Sequence, residues 1–274
     1  MRRMLLVASG LVFLAGVPLF VGTEQTDRYF AWTVQPPITA AFLGASYWAS
    51  CIFELAAARQ RIWVRARVAV PAVLVFTTLT MVVTLVYLDR FHLSSTEPWA
   101  RFVTWSWLAI YLGVPVMLGF LLLRQLREQG SDPLRVAPIP TGLRWLSAGQ
   151  AAIMLLAGAA LLLDPAIASW LWPWKLTALT GRAVGAWLIG FGVAALQATV
   201  EGDFDRIRIG LVTYVSLGAL QLLALARYLS ALQWARPVSW IYVGFLLSIL
   251  GLGLVGLVLS TRSPFRRGLP PRQA

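Results

Sequence analysis

The 274-residue sequence contains one cysteine, Cys51, and one histidine, His92. A single thiol excludes an intrachain disulfide and a thiolate metal site. A single histidine excludes bis-histidine haem ligation and any multi-histidine metal centre within the chain. Lysine is equally scarce, with Lys175 set against 22 arginines; a GC-rich coding bias accounts for that skew more simply than a binding role. Charged residues make up only 12% of the chain. No phosphate-binding loop, dinucleotide fingerprint or nucleophile elbow occurs. The expectation is a protein that is not an enzyme, with no cofactor and no metal.

What the chain has instead is apolar residues, 59% of the total, too many for a soluble globular domain of this length. Runs of about 20 apolar residues recur, enough to cross roughly 30 Å of hydrocarbon as a helix. Eight spans are expected, near 4–21, 38–57, 68–88, 99–123, 144–163, 176–200, 209–227 and 234–260. The fold class is therefore all-α, a polytopic helical membrane protein with eight transmembrane helices. Arg2 and Arg3 before the first run resemble a signal peptide. That run is longer than an ordinary signal core, and no small-x-small cleavage site precedes Thr23, so an uncleaved span is expected.

The net charge of +12 would suggest nucleic acid in a soluble chain, but no binding motif accompanies it. In a membrane protein, basic residues collect in cytoplasmic loops and meet anionic lipid. With eight spans, sixteen of the 23 Lys and Arg residues fall on the side of the termini and seven on the other. Both termini are then expected in the cytoplasm, with the protein multi-pass in the inner (plasma) membrane. The loop after the sixth span is the weakest contributor, because Glu201, Asp203 and Asp205 accompany its arginines.

Two stretches are alike. Residues 99–107 read WARFVTWSW and 234–242 read WARPVSWIY, with Trp99/Trp234, Ala100/Ala235, Arg101/Arg236, Val103/Val238 and Trp105/Trp240 identical. Trp32, Thr39 and Ala40 likewise match Trp170, Thr177 and Ala178 at a constant offset. Two tandem four-helix repeats follow. Residues 1–128 form the first, 129–143 a cytoplasmic linker rich in charge, Gly and Pro, and 144–274 the second with a basic tail. A unit with an even number of spans repeats in parallel, about an axis along the membrane normal.

Nine of the thirteen tryptophans lie at or near the side opposite the termini: Trp32, Trp99, Trp105, Trp107, Trp170, Trp172, Trp174, Trp234 and Trp240. An aromatic belt accounts for interfacial indoles in general, but only Trp63 and Trp145 mark the other side. The functional reading is an outward vestibule built by Trp99, Trp105, Trp234 and Trp240 with Arg90, Arg101, Arg227 and Arg236. A guanidinium pairs with phosphate or carboxylate and stacks on aromatic faces. The bland reading has these arginines paired with Asp27, Asp89, Glu97 or Asp164, or reaching lipid phosphate.

Two ionisable residues fall inside spans, where charge is costly. Arg182 lies about 9 Å below the outer end of its span and Glu54 about 24 Å down its own, at about 1.5 Å per residue. Arg182 is expected to meet Asp164, Asp27 or Asp89, or to serve a ligand; Glu54 is expected to meet Arg59, Arg61 or Arg206. Gly181-x-x-x-Gly185 in the sixth span and Ala41, Ala45 and Ala49 in the second suggest that these spans touch. Thr77, Thr80 and Thr84 are expected to bond backbone carbonyls, and Gln150, Gln197 and Gln221 to bond between helices.

The leading expectation is transport or binding of a small anionic or amphiphilic compound at the Trp/Arg vestibule, with Arg182 as its central residue. The competing class is a non-catalytic scaffold or accessory subunit of a membrane complex. A lipid-modifying enzyme would have only Asp27 and His92 as an acid–base pair. The expected partners are the lipid bilayer, an anionic lipid or amphiphile, and a second copy or membrane-complex subunit, but not nucleic acid.

Overall fold

Proline, threonine and aspartate set where the helices begin. The computed structural model describes residues 1–262, without the side chains of 167–169 and 262; the basic tail after Arg262 lies outside the described residues. Its eight long helices are α1 (Arg2–Phe20), α2 (Pro37–Ala58), α3 (Ala69–Val86), α4 (Pro98–Arg127), α5 (Thr141–Leu163), α6 (Ala178–Glu201), α7 (Phe204–Arg227) and α8 (Pro237–Arg262). Proline opens α2, α4 and α8, where a missing N–H costs nothing and the fixed φ already suits a helix. Thr177 and Thr180 cap α6 reciprocally, satisfying two otherwise orphan amides.

All eight helices are long and apolar enough to cross a membrane, and no strand occurs among the described residues. Their limits lie within a few residues of those expected. The largest difference is at α7, which starts at Phe204 because the Asp203 carboxylate accepts from the amides of Asp205 and Arg206. The acidic loop of the sequence reading is thus mostly the first turn of a helix. Outward faces stay apolar, with Val116, Leu156 and Ile241 about 70% exposed or more than two-thirds so.

Helix pairing follows one pattern in each half. The closest pairs are α1 with α2 and α5 with α6; α3 lies against α4 and α7 against α8. The halves interlock through α2 with α7 and α3 with α6. The glycines of α6 do not meet the alanines of α2. A Cβ on Gly185 would sit 2.8 Å from the carbonyl oxygen of Gly158 on α5, so it is α5 and α6 that approach backbone to backbone. On α2, Ala41 and Ala45 pack with Phe20 of α1 and Ala224 of α7. Helices α2 and α6 meet through large rings instead: Tyr47 lies edge-on to Trp187 at 4.9 Å, and Trp187 stacks on Phe76 at 3.8 Å. The Tyr47 hydroxyl is 2.7 Å from that of Tyr111.

The bundle has chemically distinct ends. At the arginine end, Glu201 is 1% exposed and accepts from Arg67 Nε (2.7 Å), Arg206 Nη1 (3.0 Å) and Gln197 Nε2 (3.0 Å). Asp132 lies 2.7 Å from Arg67 and 3.6 Å from Arg206, and Arg65 pairs with Asp205. The hydrogen bond to Glu201 raises the Arg67 pKa, against the opposing effect of burial, so this guanidinium stays charged at any working pH. Segment 132–140 is not a free linker. Ala137 N donates to Asp203 (2.7 Å), Phe204 N to Ala137 O (2.8 Å) and Ile139 N to Gly202 O (3.0 Å). Gly202 takes φ +60° there, a conformation glycine adopts without strain.

Candidate functional site

The opposite, tryptophan-rich end is made by residues 20–34, 87–99, 163–178 and 227–236. Four of its indoles are buried and build two aromatic clusters. Trp32 lies 4.7 Å from Phe30, 5.1 Å from Phe91 and 5.0 Å from Trp107. Trp172 lies 5.6 Å from Phe42, 5.2 Å from Trp174 and 5.6 Å from Tyr242. Trp107 and Tyr242 are the matching positions of the two WAR stretches. Trp107 Nε1 donates to Thr84 Oγ1 (3.0 Å) and Trp174 Nε1 to Thr39 Oγ1 (2.9 Å). An indole N–H inside a bundle needs a partner; Trp107 and Trp174 find one, whereas Trp32 Nε1 and Trp172 Nε1 have none.

The sequence-predicted arginines do not converge on one vestibule. Arg182 donates to the Tyr87 hydroxyl and stacks over that ring at 5.3 Å; its other contact is the Leu163 carbonyl, at 3.5 Å. No described ion pair joins it to Asp164, Asp27 or Asp89, because Tyr87, at the end of α3, occupies its reach. Arg227 donates to Phe20 O and lies over the rings of Phe20 and Tyr228. Arg236 donates to Gln233 Oε1 (2.7 Å), and Arg90 pairs with Asp89 (3.1 Å), both largely exposed. Trp234 and Trp240 pack at a tilt with ring centroids 5.0 Å apart, while Trp105 is 59% exposed. Arg101 is exposed beside Trp99 at the start of α4.

Two other expectations resolve differently. Glu54 makes no described contact with Arg59, Arg61 or Arg206; it is 2% exposed and accepts from Ser50 Oγ at 3.0 Å, while Arg206 is held by Glu201. His92 has Nδ1 3.0 Å from Phe30 O and Nε2 3.1 Å from Thr33 Oγ1. A carbonyl can only accept, so Nδ1 carries the proton and Nε2 accepts from the threonine. Both nitrogens are engaged without Asp27. Of the polar span residues, Thr77 bonds Val73 O, Gln150 reaches Ser248 on α8, and Gln221 reaches Phe42 O and Ser46 on α2. Gln197 stays within its own helix, on Glu201.

The largest cavity at this end is a cleft of about 800 Å³ between the outer half of α1 and the first turns of α4. That is within the roughly 300–1,000 Å³ of small-molecule sites. Leu14, Pro18, Phe102, Val103, Trp107 and Ile110 line it, with Trp99 at the outer end. It is open along its side, since Leu14 is 65% and Phe102 61% exposed. Polar groups are few: Gln25 and Tyr29 at the head of the cleft and Ser106. Arg28 and Arg101, both exposed, each adjoin a lining residue in sequence. Of the sequence-predicted site residues, Trp99 alone lines this cleft. Leu14 and Phe102 were invisible as site residues because a lipid-facing and a cleft-facing apolar side chain read alike.

A smaller cavity lies among α2, α5, α6, α7 and α8. Its α8 wall includes Val238, Ile241, Tyr242 and Phe245. At the WAR offset these match Val103, Ser106, Trp107 and Ile110, four of the six residues that α4 gives to the first cleft. The chain matches no protein-family model, no curated protein and no solved structure.

Proposed function

We propose that this is a multi-pass protein of the cytoplasmic (inner) membrane that binds, without catalysis, an anionic amphiphile in the α1–α4 cleft. The observation that carries it is the cleft itself, with apolar walls open to the side and the exposed Arg28 and Arg101 each next in sequence to a lining residue. An acyl-type chain suits Leu14, Phe102 and Ile110, and a phosphate or carboxylate head suits Arg28 and Arg101, which offer planar forks to such groups. Movement of the bound molecule across the membrane would follow from the same site.

Architecture enters this reading as well. Two parallel four-helix repeats are supported by the matched pairings of α1–α2 with α5–α6, α3–α4 with α7–α8, and α2–α7 with α3–α6. The equivalent lining positions of the two cavities add to that support. Charge distribution favours both termini in the cytoplasm, so reporters fused at either end are expected to be active there; activity outside would reverse the topology.

The test of binding is purification of the full chain in mild detergent with mass spectrometry of what it retains. A stoichiometric anionic amphiphile is expected, weakened about fivefold by Arg101→Ala or Arg28→Ala, the effect of losing about 1 kcal/mol from an exposed charge pair. A stoichiometric protein partner with no retained amphiphile would replace this reading with that of an accessory subunit.

A further inference from the structure

The cavity of the second half differs from the first in the polar atoms at its wall. It encloses about 170 Å³ and is lined by apolar side chains such as Met154, Leu188 and Leu217, with Gln221 and Trp172 among them. Both polar residues are buried, Gln221 at 2% and Trp172 at 7% exposure. Gln221 spends its Nε2 on Phe42 O (3.0 Å) and Ser46 Oγ (3.1 Å), which fixes its amide and leaves Oε1 with no hydrogen-bond partner. Trp172 Nε1 is likewise unpartnered. The two side chains share Phe42 as a neighbour, through its carbonyl in one case and its ring, 5.6 Å from the Trp172 ring, in the other.

We infer that this cavity is a second binding site, for an uncharged amphiphile bearing a hydroxyl group. A hydroxyl donates to one atom and accepts at the same oxygen, so a single group carries both functions that the unpartnered Gln221 Oε1 and Trp172 Nε1 call for, while its apolar body suits the remaining walls. No charged side chain lines the cavity, which selects against the anionic head proposed for the first cleft, because a buried charge without a partner is strongly disfavoured. The site is independent of the α1–α4 cleft and stands whether or not that cleft binds an anion.

The test uses the purified full chain and a long-chain alcohol carrying a photoreactive diazirine, with the methyl ether of the same chain as its control. The alcohol is expected to bind saturably and to label α5 and α8 near Ile153 and Phe245. The ether, which cannot donate to Gln221, should bind about fivefold more weakly, as should the alcohol to Trp172→Phe, which keeps the ring and removes the donor, each for about one lost hydrogen bond. Ile153→Trp, at a half-exposed wall position, should block labelling without disturbing the core, and Arg101→Ala should leave it unchanged. Equal binding of alcohol and ether, or labelling that Ile153→Trp does not reduce, would overturn the second site.

Discussion

Glu201 shows how charge is handled where the chain can least tolerate it unpaired. Three donors from two other segments and its own helix converge on one carboxylate, so removing it leaves Arg206, whose side chain is only 9% exposed, with Asp132 at 3.6 Å as its remaining carboxylate. Breaking one partner of such a buried pair costs about 3 kcal/mol or more, and Glu201→Ala is expected to lose about that much in detergent unfolding, with Glu201→Gln losing less. A change within about 0.5 kcal/mol, ordinary for an exposed site, would show the cluster to be idle. The sequence displayed these acids, but only as dilution of a basic loop. Their pairing with Arg65 and Arg67, some 140 residues away, has no local signature. Arg182 is the converse case: its depth in a span was legible, yet its partner is a tyrosine hydroxyl and ring, which no charge count reveals.

Helix α6 packs within its own half through its glycines on α5 and across to the other half through its rings on α2 and α3. Gly185→Val would force a side chain into the Gly158 carbonyl and should cost about 1–3 kcal/mol, the usual range for overpacking. Gly244→Val on α8, where an added Cβ meets nothing within 4 Å, is the matched control and should change stability little. If the two substitutions behaved alike, the close α5–α6 approach would be wrong. The eight helices were readable from run length alone, to within a few residues, with the largest miss at the start of α7. Which faces touch was not, because α6 carries small residues on several sides, and in an apolar helix periodicity does not separate a neighbour from lipid.

Across the whole molecule, one end is locked by ion pairs and a docked segment, while the other carries aromatic clusters and an open cleft. That asymmetry suits a protein anchored on one side of a bilayer and exposed to amphiphiles on the other. The WAR repeat, conspicuous in the sequence, marks helix starts and cavity walls more than a ring of arginines. The most direct test places the full chain in vesicles containing a trace of a single-chain phosphate lipid with a diazirine in its chain. Irradiation and peptide mapping should find label concentrated on Leu14, Phe102 and Ile110, reduced several-fold by Leu14→Trp and with a zwitterionic probe of the same length. Even labelling over all lipid-facing helices, or equal labelling by both probes, would contradict an anionic site between α1 and α4.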